Sequence, residues 1–377
     1  MRHLITDEGR EAVPGIDIVR QGSRSDDGHV VVAFVPAHNE ADQIQSTIAS
    51  LQSQTRPPEL IVVAADNCTD ETVTIAQEQG VVVFQTVDNA ARKAGALNQA
   101  WQRYAVGSTH ILTMDADTAL TPSAIENMLH AFAFRTRRAR RGRPLGAACA
   151  RYWAKDGTGL AWRLQRLEYA RYDDSREMRG WVVQVASGAA TLYRSDALDD
   201  VVRASDRDVP WDAASLIEDY GLTLDLKTSG YAVSAAPGAQ VLTDTPATFG
   251  ALWQQRLRWG RGGIDECRKR GWIPATRRDI AAYALFGFSS FMRLLWVFYV
   301  IALFQLGMGL TYSLIGMIPL LLMWVDRVTS AWRVPGRTWQ DITLSATMLV
   351  EDVYGLFLEA CTATALVHSI RRTSQAW

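Results

Sequence analysis

Cysteine is scarce in this chain, and the cysteines that are present lie far apart. Only Cys68, Cys149, Cys267 and Cys361 occur in 377 residues, and no two of them form a C-x-x-C pair. Neither a zinc site nor a disulfide framework is therefore indicated, and we expect a reducing compartment. An excess of positive charge is also missing, because 39 Lys and Arg face 40 Asp and Glu. Nucleic-acid binders are usually basic, so we expect no nucleic-acid partner.

Glycine-rich phosphate loops are absent as well. No apolar run is followed by G-x-G-x-x-G, and no G-x-x-x-x-G-K-[ST] occurs, which argues against a dinucleotide oxidoreductase and a P-loop NTPase. An apolar leader is also lacking, since Asp7, Glu8 and Glu11 occupy the start of the chain. We therefore expect a loosely ordered arm over residues 1–29 and no signal peptide.

Hydrophobic residues are plentiful but unevenly distributed. They make up 48% of the chain, which supplies a large core and excludes global disorder. The length predicts two or three folding units. Between Ile280 and Val325 the single charged residue is Arg293, whereas the first 270 residues have the composition of a soluble protein. We expect a domain of soluble-protein composition over 30–270 and a hydrophobic C-terminal region over 271–377.

Short apolar runs alternate with helical patterns in the first third of the chain. Four runs rich in β-branched residues predict buried strands: Val30–Pro36, Leu60–Ala65, Val81–Phe84 and His110–Met114. Two sets of apolar residues at helical spacing lie between them: Ile44, Ile48 and Leu51, then Leu97, Ala100, Trp101 and Tyr104. This alternation predicts an α/β fold with a mainly parallel, doubly wound sheet. Its ligand crevice is expected at the carboxyl ends of the strands.

Acidic and polar side chains follow three of these strands. Asp115 and Asp117 come directly after a buried strand, where two carboxylates could reach one Mg²⁺ or Mn²⁺. A surface turn with a helix-capping Asp is the alternative. Asp66 follows another strand and could accept a hydrogen bond from a nucleobase or cap the next helix. Asp70 is better placed as that cap, which leaves Asp66 for another role.

Three later motifs also have chemical potential. Lys93, just before an expected helix start, suits a phosphate, or else lies in a solvated turn. Within the pair Glu218 and Asp219, one carboxylate could be a general base if it is partly buried. The segment 255–259, Q-R-L-R-W, supplies a Trp platform for a sugar ring and two arginines of which one would face the crevice. The alternative for each motif alone is an ordinary surface helix.

The C-terminal region contains two long apolar stretches, Tyr283–Phe304 and Leu310–Val325. A membrane-spanning helix needs about 20 apolar residues, so the first qualifies and the second is short. They could form a spanning hairpin, a shallow interfacial pair or a soluble helical hairpin. A spanning hairpin would return the next loop to the side of the N-terminal body, and the three arginines of that loop would then place both in the cytoplasm by the positive-inside rule. These arginines are Arg327, Arg333 and Arg337.

A third apolar stretch, Thr343–Val367, includes the acids Glu351, Asp352 and Glu359. Three carboxylates in lipid would be costly, so we expect an amphipathic interfacial helix or a helix packed against the hairpin. Six arginines between residues 135 and 143 predict a solvated loop or a contact with anionic lipid headgroups.

Seven motifs occur in the chain in a characteristic order. They are P-A-H-N-E (36–40), A-D-N-C-T-D (65–70), K-A-G-A-L-N (93–98), D-A-D (115–117), S-G-A-A-T-L-Y-R (187–194), E-D (218–219) and Q-R-L-R-W (255–259). Together, from about Val30 to about Gly263, they resemble the family 2 glycosyltransferases, inverting enzymes that include cellulose, chitin and hyaluronan synthases. The resemblance implies a GT-A fold that binds a nucleotide sugar.

The resemblance also implies a role for each matching residue. On the donor side, His38 and Glu40 would lie beside the nucleoside, Asp66 on the base, Lys93 near the nucleotide, Asp115 near the ribose and phosphates, and Arg258 on the diphosphate. Asp117, with Asp115 beside it, would bind Mg²⁺ or Mn²⁺. On the acceptor side, Asp219 would be the general base, Ser187 and Gly188 would line the site, and Gln255 and Trp259 would border it.

We therefore expect a membrane-associated glycosyltransferase that uses a nucleotide sugar, a UDP-sugar in the first instance, with a glycan, lipid or protein acceptor. His38 stands where the family commonly has Tyr, and Ile217 where the synthases often have Thr. No membrane helix precedes the catalytic domain, and a hairpin plus one helix cannot form a polymer channel in a monomer. Single-sugar transfer is thus at least as well supported as processive polysaccharide synthesis.

Two other classes stay open at this stage. A sugar nucleotidyltransferase would use a similar sheet and metal, but it usually has a glycine-rich, basic signature where this chain has Pro36–Glu40. A non-enzymatic membrane scaffold or degenerate binding module would be favoured if the acids Asp115, Asp117 or Asp219 were replaced, and all three are present.

Overall fold

A computed structural model of the chain describes residues 28–133, 142–308 and 314–373. Residues 1–27 of the expected N-terminal arm and most of the arginine-rich run at 135–143 lie outside the described residues. The chain divides into two compact units. The first comprises Met1–Lys155 and Arg176–Asp244, and the second comprises Asp156–Ser175 and Thr245–Trp377.

The first unit begins with the predicted parallel strands. They are β1 (Val31–Ala37), β2 (Leu60–Ala65), β3 (Val82–Gln85) and β4 (His110–Met114). They lie in the order β3-β2-β1-β4 and all pair in parallel, which confirms the expected α/β class. The helices between them are α1 (Ile44–Gln52), α2 (Thr72–Glu78) and α3 (Arg92–Tyr104).

Strand β1 is buried on both faces. Its residues alternate between two apolar clusters, with Val31, Ala33 and Val35 in one and Val32 and Phe34 in the other. Strands covered on both faces read as continuous apolar runs in a sequence, which is why the pattern predicted them well. The ends of these strands are therefore held by a rigid core.

The described residues place four more strands in the same sheet, making it eight-stranded and mixed. They are β5 (Thr118–Leu120), β6 (Leu145–Ala154), β7 (Ala190–Arg194) and β8 (Ala232–Thr243). The order continues as β4-β7-β6-β8-β5, and β7 is antiparallel to both β4 and β6. The remaining helices of this unit are α4 (Ala124–Ala133), α6 (Ser195–Ala204) and α7 (Glu218–Thr228).

The second unit is helical. Its elements are most of α5 (Leu160–Met178), then α8 (Phe249–Arg270), α9 (Arg277–Gln305), α10 (Ile318–Trp332), α11 (Trp339–Thr347) and α12 (Leu349–Arg371). Among the described residues, α9 and α12 are long and apolar enough to cross a membrane. The most apolar part of α9 is not buried at all, with large side chains such as Phe288, Leu294 and Phe298 exposed. A helix that is apolar all round is typical of a membrane segment.

The three acids of the third apolar stretch are each paired with an arginine. Glu351 pairs with Arg171, Asp352 with Arg327, and Glu359 with Arg293. The stretch is also broken at Met348, whose φ of 58° separates α11 from α12. Because Arg293 belongs to α9 and Arg327 to α10, the structure favours packing against the hairpin helices over a separate interfacial helix.

Candidate functional site

Asparagines turn the chain where β1 and β2 end. Asn39 and Asn67 adopt left-handed φ values of 55° and 50°, which Asn tolerates better than most residues. The Asn39 side-chain oxygen accepts a hydrogen bond from the backbone N–H of Thr69 at 2.7 Å. The two loops, which carry the motifs 36–40 and 65–70, are thereby joined at one edge of the sheet.

Asp66 is buried at this edge with its carboxylate fixed. One of its oxygens accepts hydrogen bonds from the Thr86 hydroxyl at 2.7 Å and the Asn89 amide at 2.8 Å. The ring N–H of His38 donates to the Asp66 backbone oxygen at 2.6 Å. Asp70 accepts from the backbone N–H of Thr72, the first residue of the next helix, at 3.0 Å, although the N-cap position itself is Glu71. Asp66 and His38 therefore lie together at this edge, and their contact with a nucleoside stays a prediction.

Lys93 connects two of the acidic motifs. The sequence predicted that Lys93 lies just before a helix. Helix α3 instead starts at Arg92, so Lys93 lies in its first turn. Its ammonium forms ion pairs with Asp115 and with Glu218, the latter at 3.0 Å. Burial alone would lower the pKa of Lys93, but Asp115, Glu218 and Asp219 outweigh it and raise that pKa well above its usual value. The lysine is thus charged and holds strand β4 close to helix α7.

Asp219 faces the same point as Asp115. Its Oδ2 accepts a hydrogen bond from the Gly188 backbone N–H at 3.0 Å, and its Oδ1 accepts from the Tyr220 N–H at 2.7 Å. A Cβ on Gly188 would lie 3.6 Å from Oδ2 of Asp219 and 3.8 Å from Oδ1 of Asp115. Carboxylates from separate parts of the chain therefore flank one position. Ser187 immediately precedes that position, and its hydroxyl accepts from the Ala189 N–H at 3.3 Å.

Asp219 is electrostatically suited to exchange a proton near neutrality. Burial raises the pKa of Asp219 to about 6, helped by the negative charge of Glu218 and opposed by Lys93 and the hydrogen bond from Gly188. A carboxylate with such a pKa is ionised at pH 7 yet more basic than an exposed Asp.

One carboxylate oxygen of Asp117, Oδ1, is buried without a hydrogen-bond donor within the described ranges. Burial, then Asp115 and Asp244, raises the pKa of Asp117 to about 6, and burial with Asp117 and Asp115 raises that of Glu40 to about 7. A buried acceptor without a donor, in a region of excess negative charge, suits a cation.

Asp244 is a member of this acidic group that the sequence did not indicate. Thr118 of β5 pairs with Thr243 of β8 in an antiparallel register, so Asp117 and Asp244 follow as opposite neighbours. Lys155 lies 3.5 Å from Asp244 Oδ1. Among the described residues, no group of three or more His, Cys, Asp or Glu has a metal-binding arrangement. A divalent cation here would take one or two carboxylates and complete its coordination with substrate or water oxygens.

The Q-R-L-R-W motif lies on α8 in the second unit. Arg258 and Trp259 are exposed, and Gln255 is partly buried with a side-chain oxygen that lacks a partner among the described residues. Arg256 is buried instead and pairs with Glu168 at 2.9 Å. The two arginines thus face different ways, as their spacing predicted. The expected contacts of Gln255, Arg258 and Trp259 with donor and acceptor stay predictions.

A side chain at Gly188 should disturb the arrangement of Lys93 and the neighbouring acids. A Cβ there would lie 2.6 Å from the Lys93 ammonium, so Lys93 would have to move away from Asp115 and Glu218. We expect Gly188→Ala to lower the turnover of this site about tenfold, with little loss of thermal stability. Gly250→Ala is a matched control, since a Cβ at that helical glycine meets nothing closer than 4.0 Å. Equal turnover of both variants would show that a methyl group at Gly188 can be accommodated without disturbing Lys93.

The mixed α/β sheet with acids at its carboxyl edge is that of a GT-A glycosyltransferase. The family described as "Glycosyltransferase like family 2" matches residues 29–262, and the chain belongs to it. The matched residues include most of the described part of the first unit and the segments 156–175 and 245–262 of the second.

Individual relatives agree with this assignment. The poly-beta-1,6-N-acetyl-D-glucosamine synthase of Staphylococcus epidermidis is 27% identical over 278 residues, which cover 72% of this chain and 63% of that protein. The enzyme of the same name from Staphylococcus aureus strain MSSA476 is 24% identical over the same length. The chain therefore spans about 63% of the length of these curated relatives.

A solved structure is similar over most of the chain. It is the mannosyltransferase PcManGT from Pyrobaculum calidifontis in complex with GDP-Man and Mn²⁺. The similarity has a TM-score of 0.56 at 15% identity and covers 91% of this chain and 88% of that one. This likeness establishes the fold.

Proposed function

We propose that this protein is a membrane-associated inverting glycosyltransferase that moves a sugar from a nucleotide-sugar donor to a hydroxyl acceptor, with Asp219 as general base. The observation that carries the proposal is the convergence at Gly188. There a donor-side carboxylate, Asp115, and a candidate base, Asp219, flank one position. Inverting transfer needs such an arrangement, because the base must lie across the sugar from the leaving diphosphate.

In the proposed reaction the acceptor oxygen forms a bond to the anomeric carbon as the bond from that carbon to the diphosphate oxygen breaks. Asp219 takes the proton of the acceptor hydroxyl, and the nucleoside diphosphate leaves with the bonding electrons. The hydrogen bonds from Gly188 and Tyr220 fix the direction of the carboxylate. Lys93 and Arg258 are proposed to stabilise the diphosphate, and Asp66, His38 and Glu40 to bind the nucleoside.

A divalent cation, Mg²⁺ or Mn²⁺, is proposed to bind at Asp117 with Asp115 beside it. The unpartnered Oδ1 of Asp117 supports this, and so does the need to offset the negative charge around Glu40 and Asp117. Once bound, such a cation would supply charge neutralisation for the departing diphosphate. The similar PcManGT structure contains Mn²⁺.

We infer a UDP-sugar as donor, with N-acetylglucosamine as the first sugar to test because it is the sugar in the names of the curated relatives. The acceptor is proposed to be a glycan, a lipid or a protein. The same names favour a growing glycan, so processive polysaccharide synthesis is the second candidate function.

Membrane association is proposed through α9. Its apolar side chains are exposed along its length, and at 29 residues it exceeds the hydrocarbon thickness of a bilayer. Basic residues after the apolar stretches, among them Arg327, Arg333 and Arg371, support a cytoplasmic position for the catalytic unit.

The proposal is tested with purified protein in detergent and a panel of UDP-N-acetylglucosamine, UDP-glucose and GDP-mannose. We expect one donor to release nucleoside diphosphate in the presence of Mn²⁺ or Mg²⁺ and to stop doing so with EDTA. Sizing of the labelled product separates the two functions, since a ladder indicates processive synthesis and one band a single transfer. Release of pyrophosphate from a nucleoside triphosphate plus sugar phosphate would instead indicate a nucleotidyltransferase.

Transfer should depend on pH through Asp219. A general base must be deprotonated, and the pKa of Asp219 is about 6, so activity should rise with pH through about 6 and level off above 7. Asp117 titrates in the same range, so the profile must be measured at saturating Mn²⁺. A rate that is flat from pH 5 to 8 would contradict this role for Asp219.

A further inference from the structure

A buried polar network joins three helices of the second unit around Arg256. The side chain of Arg256, on α8, is 9% exposed, and its Nη2 donates to Oε2 of Glu168 on α5 at 2.9 Å. The hydroxyl of Tyr354, on α12, donates to the same oxygen at 2.5 Å. One carboxylate oxygen therefore accepts from both a guanidinium and a phenol, which fixes all three side chains relative to one another.

The network ends on Trp259. The guanidinium carbon of Arg256 lies 4.5 Å from the centre of the Trp259 ring. The two residues are three apart on α8, so they are neighbours on one face of that helix. A cation held over the indole favours one orientation of the ring. Trp259 is still 40% exposed, which leaves part of its apolar surface available to a ligand.

Tyr354 is itself held firmly by aromatic packing. Its ring stacks on Phe357 with centroids 6.1 Å apart, and Phe357 meets Phe249 and Trp253 edge-on at 5.6 Å each. Phe249 and Trp253 belong to α8, as does Trp259. Around Phe357, helix α12 is thus packed on the motif helix by an apolar cluster, while the Tyr354 hydroxyl joins it to Glu168 on α5.

We propose that Glu168, Arg256 and Tyr354 are positioning residues that orient Trp259 as the platform for the acceptor sugar. The inference rests on the proposed function, in which Trp259 borders the acceptor. None of the three needs to touch the reacting atoms. They act by holding the indole in one orientation, so that an acceptor ring meets a surface that is already in place.

The sharpest test is Tyr354→Phe, which removes one hydroxyl and keeps the ring stacked on Phe357. The active donor is supplied with a β-1,6-linked N-acetylglucosamine pentamer as acceptor probe, and labelled sugar in the product is compared with free labelled sugar. We expect the acceptor KM to rise about tenfold, while donor hydrolysis without acceptor stays at the wild-type rate. Tyr299→Phe, the same change at an exposed tyrosine of α9, should alter neither quantity.

A double-substitution cycle shows whether Tyr354 acts through Trp259. Trp259→Ala alone should lower transfer at least as much as Tyr354→Phe. When Tyr354→Phe is added to Trp259→Ala, the transfer rate should fall by less than about a further twofold, because the double variant has no indole ring to orient. Glu168→Gln should reproduce the rise in acceptor KM.

Three results would overturn the proposal. They are an unchanged acceptor KM in Tyr354→Phe, an equal loss of transfer and donor hydrolysis, or fully additive effects with Trp259→Ala. Each is scored only against a wild type that hydrolyses the donor. A wild type without any donor turnover would overturn the proposed function, which distinguishes that failure from failure of the network.

Discussion

Replacing Asp219 by Asn is expected to lower the rate of sugar transfer about a thousandfold while nucleotide binding survives. An Asn has nearly the shape of Asp but cannot take the proton of the acceptor hydroxyl. Asp219 is the carboxylate that Gly188 and Tyr220 hold in place, and its pKa of about 6 makes it ionised yet basic at neutral pH. The loss should fall on kcat, since the nucleoside is proposed to bind elsewhere, around Asp66 and His38.

Asp225→Asn is the matched control for this experiment. It makes the same chemical change two turns further along α7, where Asp225 pairs with Arg207 at 2.6 Å. Its transfer rate should stay within about threefold of the wild type, because the ion pair with Arg207 that it weakens involves neither Gly188, Lys93 nor Asp115. Titration with UDP under metal gives the binding constant of each variant. Near-normal turnover of Asp219→Asn would refute the base assignment, and lost UDP binding would move Asp219 to the donor side.

The parallel half of the sheet was predictable because each of its strands is continuously apolar. Leu60–Ala65 and His110–Met114 have the same bounds in sequence and structure. The other half of the sheet, which mixes parallel and antiparallel pairs, lacks that signal. Strand β8 contains Pro237 and Gly238, and its pairing with β6 shifts register between Cys149 and Arg151. Such irregular strands are recognisable only once their partners are known.

Site residues that directly follow a predicted strand could be located from the sequence. Site residues that are brought in by the pairing of distant strands could not. Asp66, Asp115 and Asp117 follow buried strands, so the topology alone brings them to one edge. Asp244 joins Asp117 only through the pairing of β5 with β8, which are separated by over a hundred residues. The contact of Asp219 with Gly188 likewise depends on where α7 lies against the end of β7.

In the helical unit, the sequence likewise identified the unusual acidic residues but not their ion-pair partners. Glu351, Asp352 and Glu359 marked the third apolar stretch as unusual, and that inference needed no structure. Their partners Arg171, Arg327 and Arg293 come from three different helices, which no local pattern encodes. Of the three acids Glu351 alone is buried, and its burial is tolerated because Arg171 lies beside it.

The second large effect is expected at Asp117, where Asp117→Asn should abolish the response to Mn²⁺ and lower transfer about a hundredfold to a thousandfold. The reason is the buried Oδ1, an acceptor with no protein donor among the described residues. An amide presents either a weaker oxygen or an N–H to the same position, and neither suits a divalent cation. In contrast to Asp219→Asn, the defect should appear in donor binding as well as in kcat.

The same substitution should stabilise the protein when no metal is present. The pKa of Asp117 rises from 3.8 to about 6 on folding, so its contribution to stability is complete below pH 4 and is lost as the pH rises through 6. At pH 7.5 the buried, ionised carboxylate then costs about 3 kcal/mol at most, which a neutral Asn avoids. Asp117→Asn should therefore melt several degrees above the wild type in EDTA.

Thermal unfolding with and without Mn²⁺ tests both the loss of the Mn²⁺ response and the higher stability in EDTA. The wild type should gain stability as Mn²⁺ is added, by mass action on the folded state, and Asp117→Asn should gain none. Asp206→Asn, at an exposed acid of the same unit, should behave like the wild type in both conditions. If Asp117→Asn melts lower than the wild type in EDTA, the carboxylate has a structural partner and the case for a cation at Oδ1 fails. If it melts higher and ignores Mn²⁺, the cost of burying Asp117 is explained by the ligand that the site is built to bind.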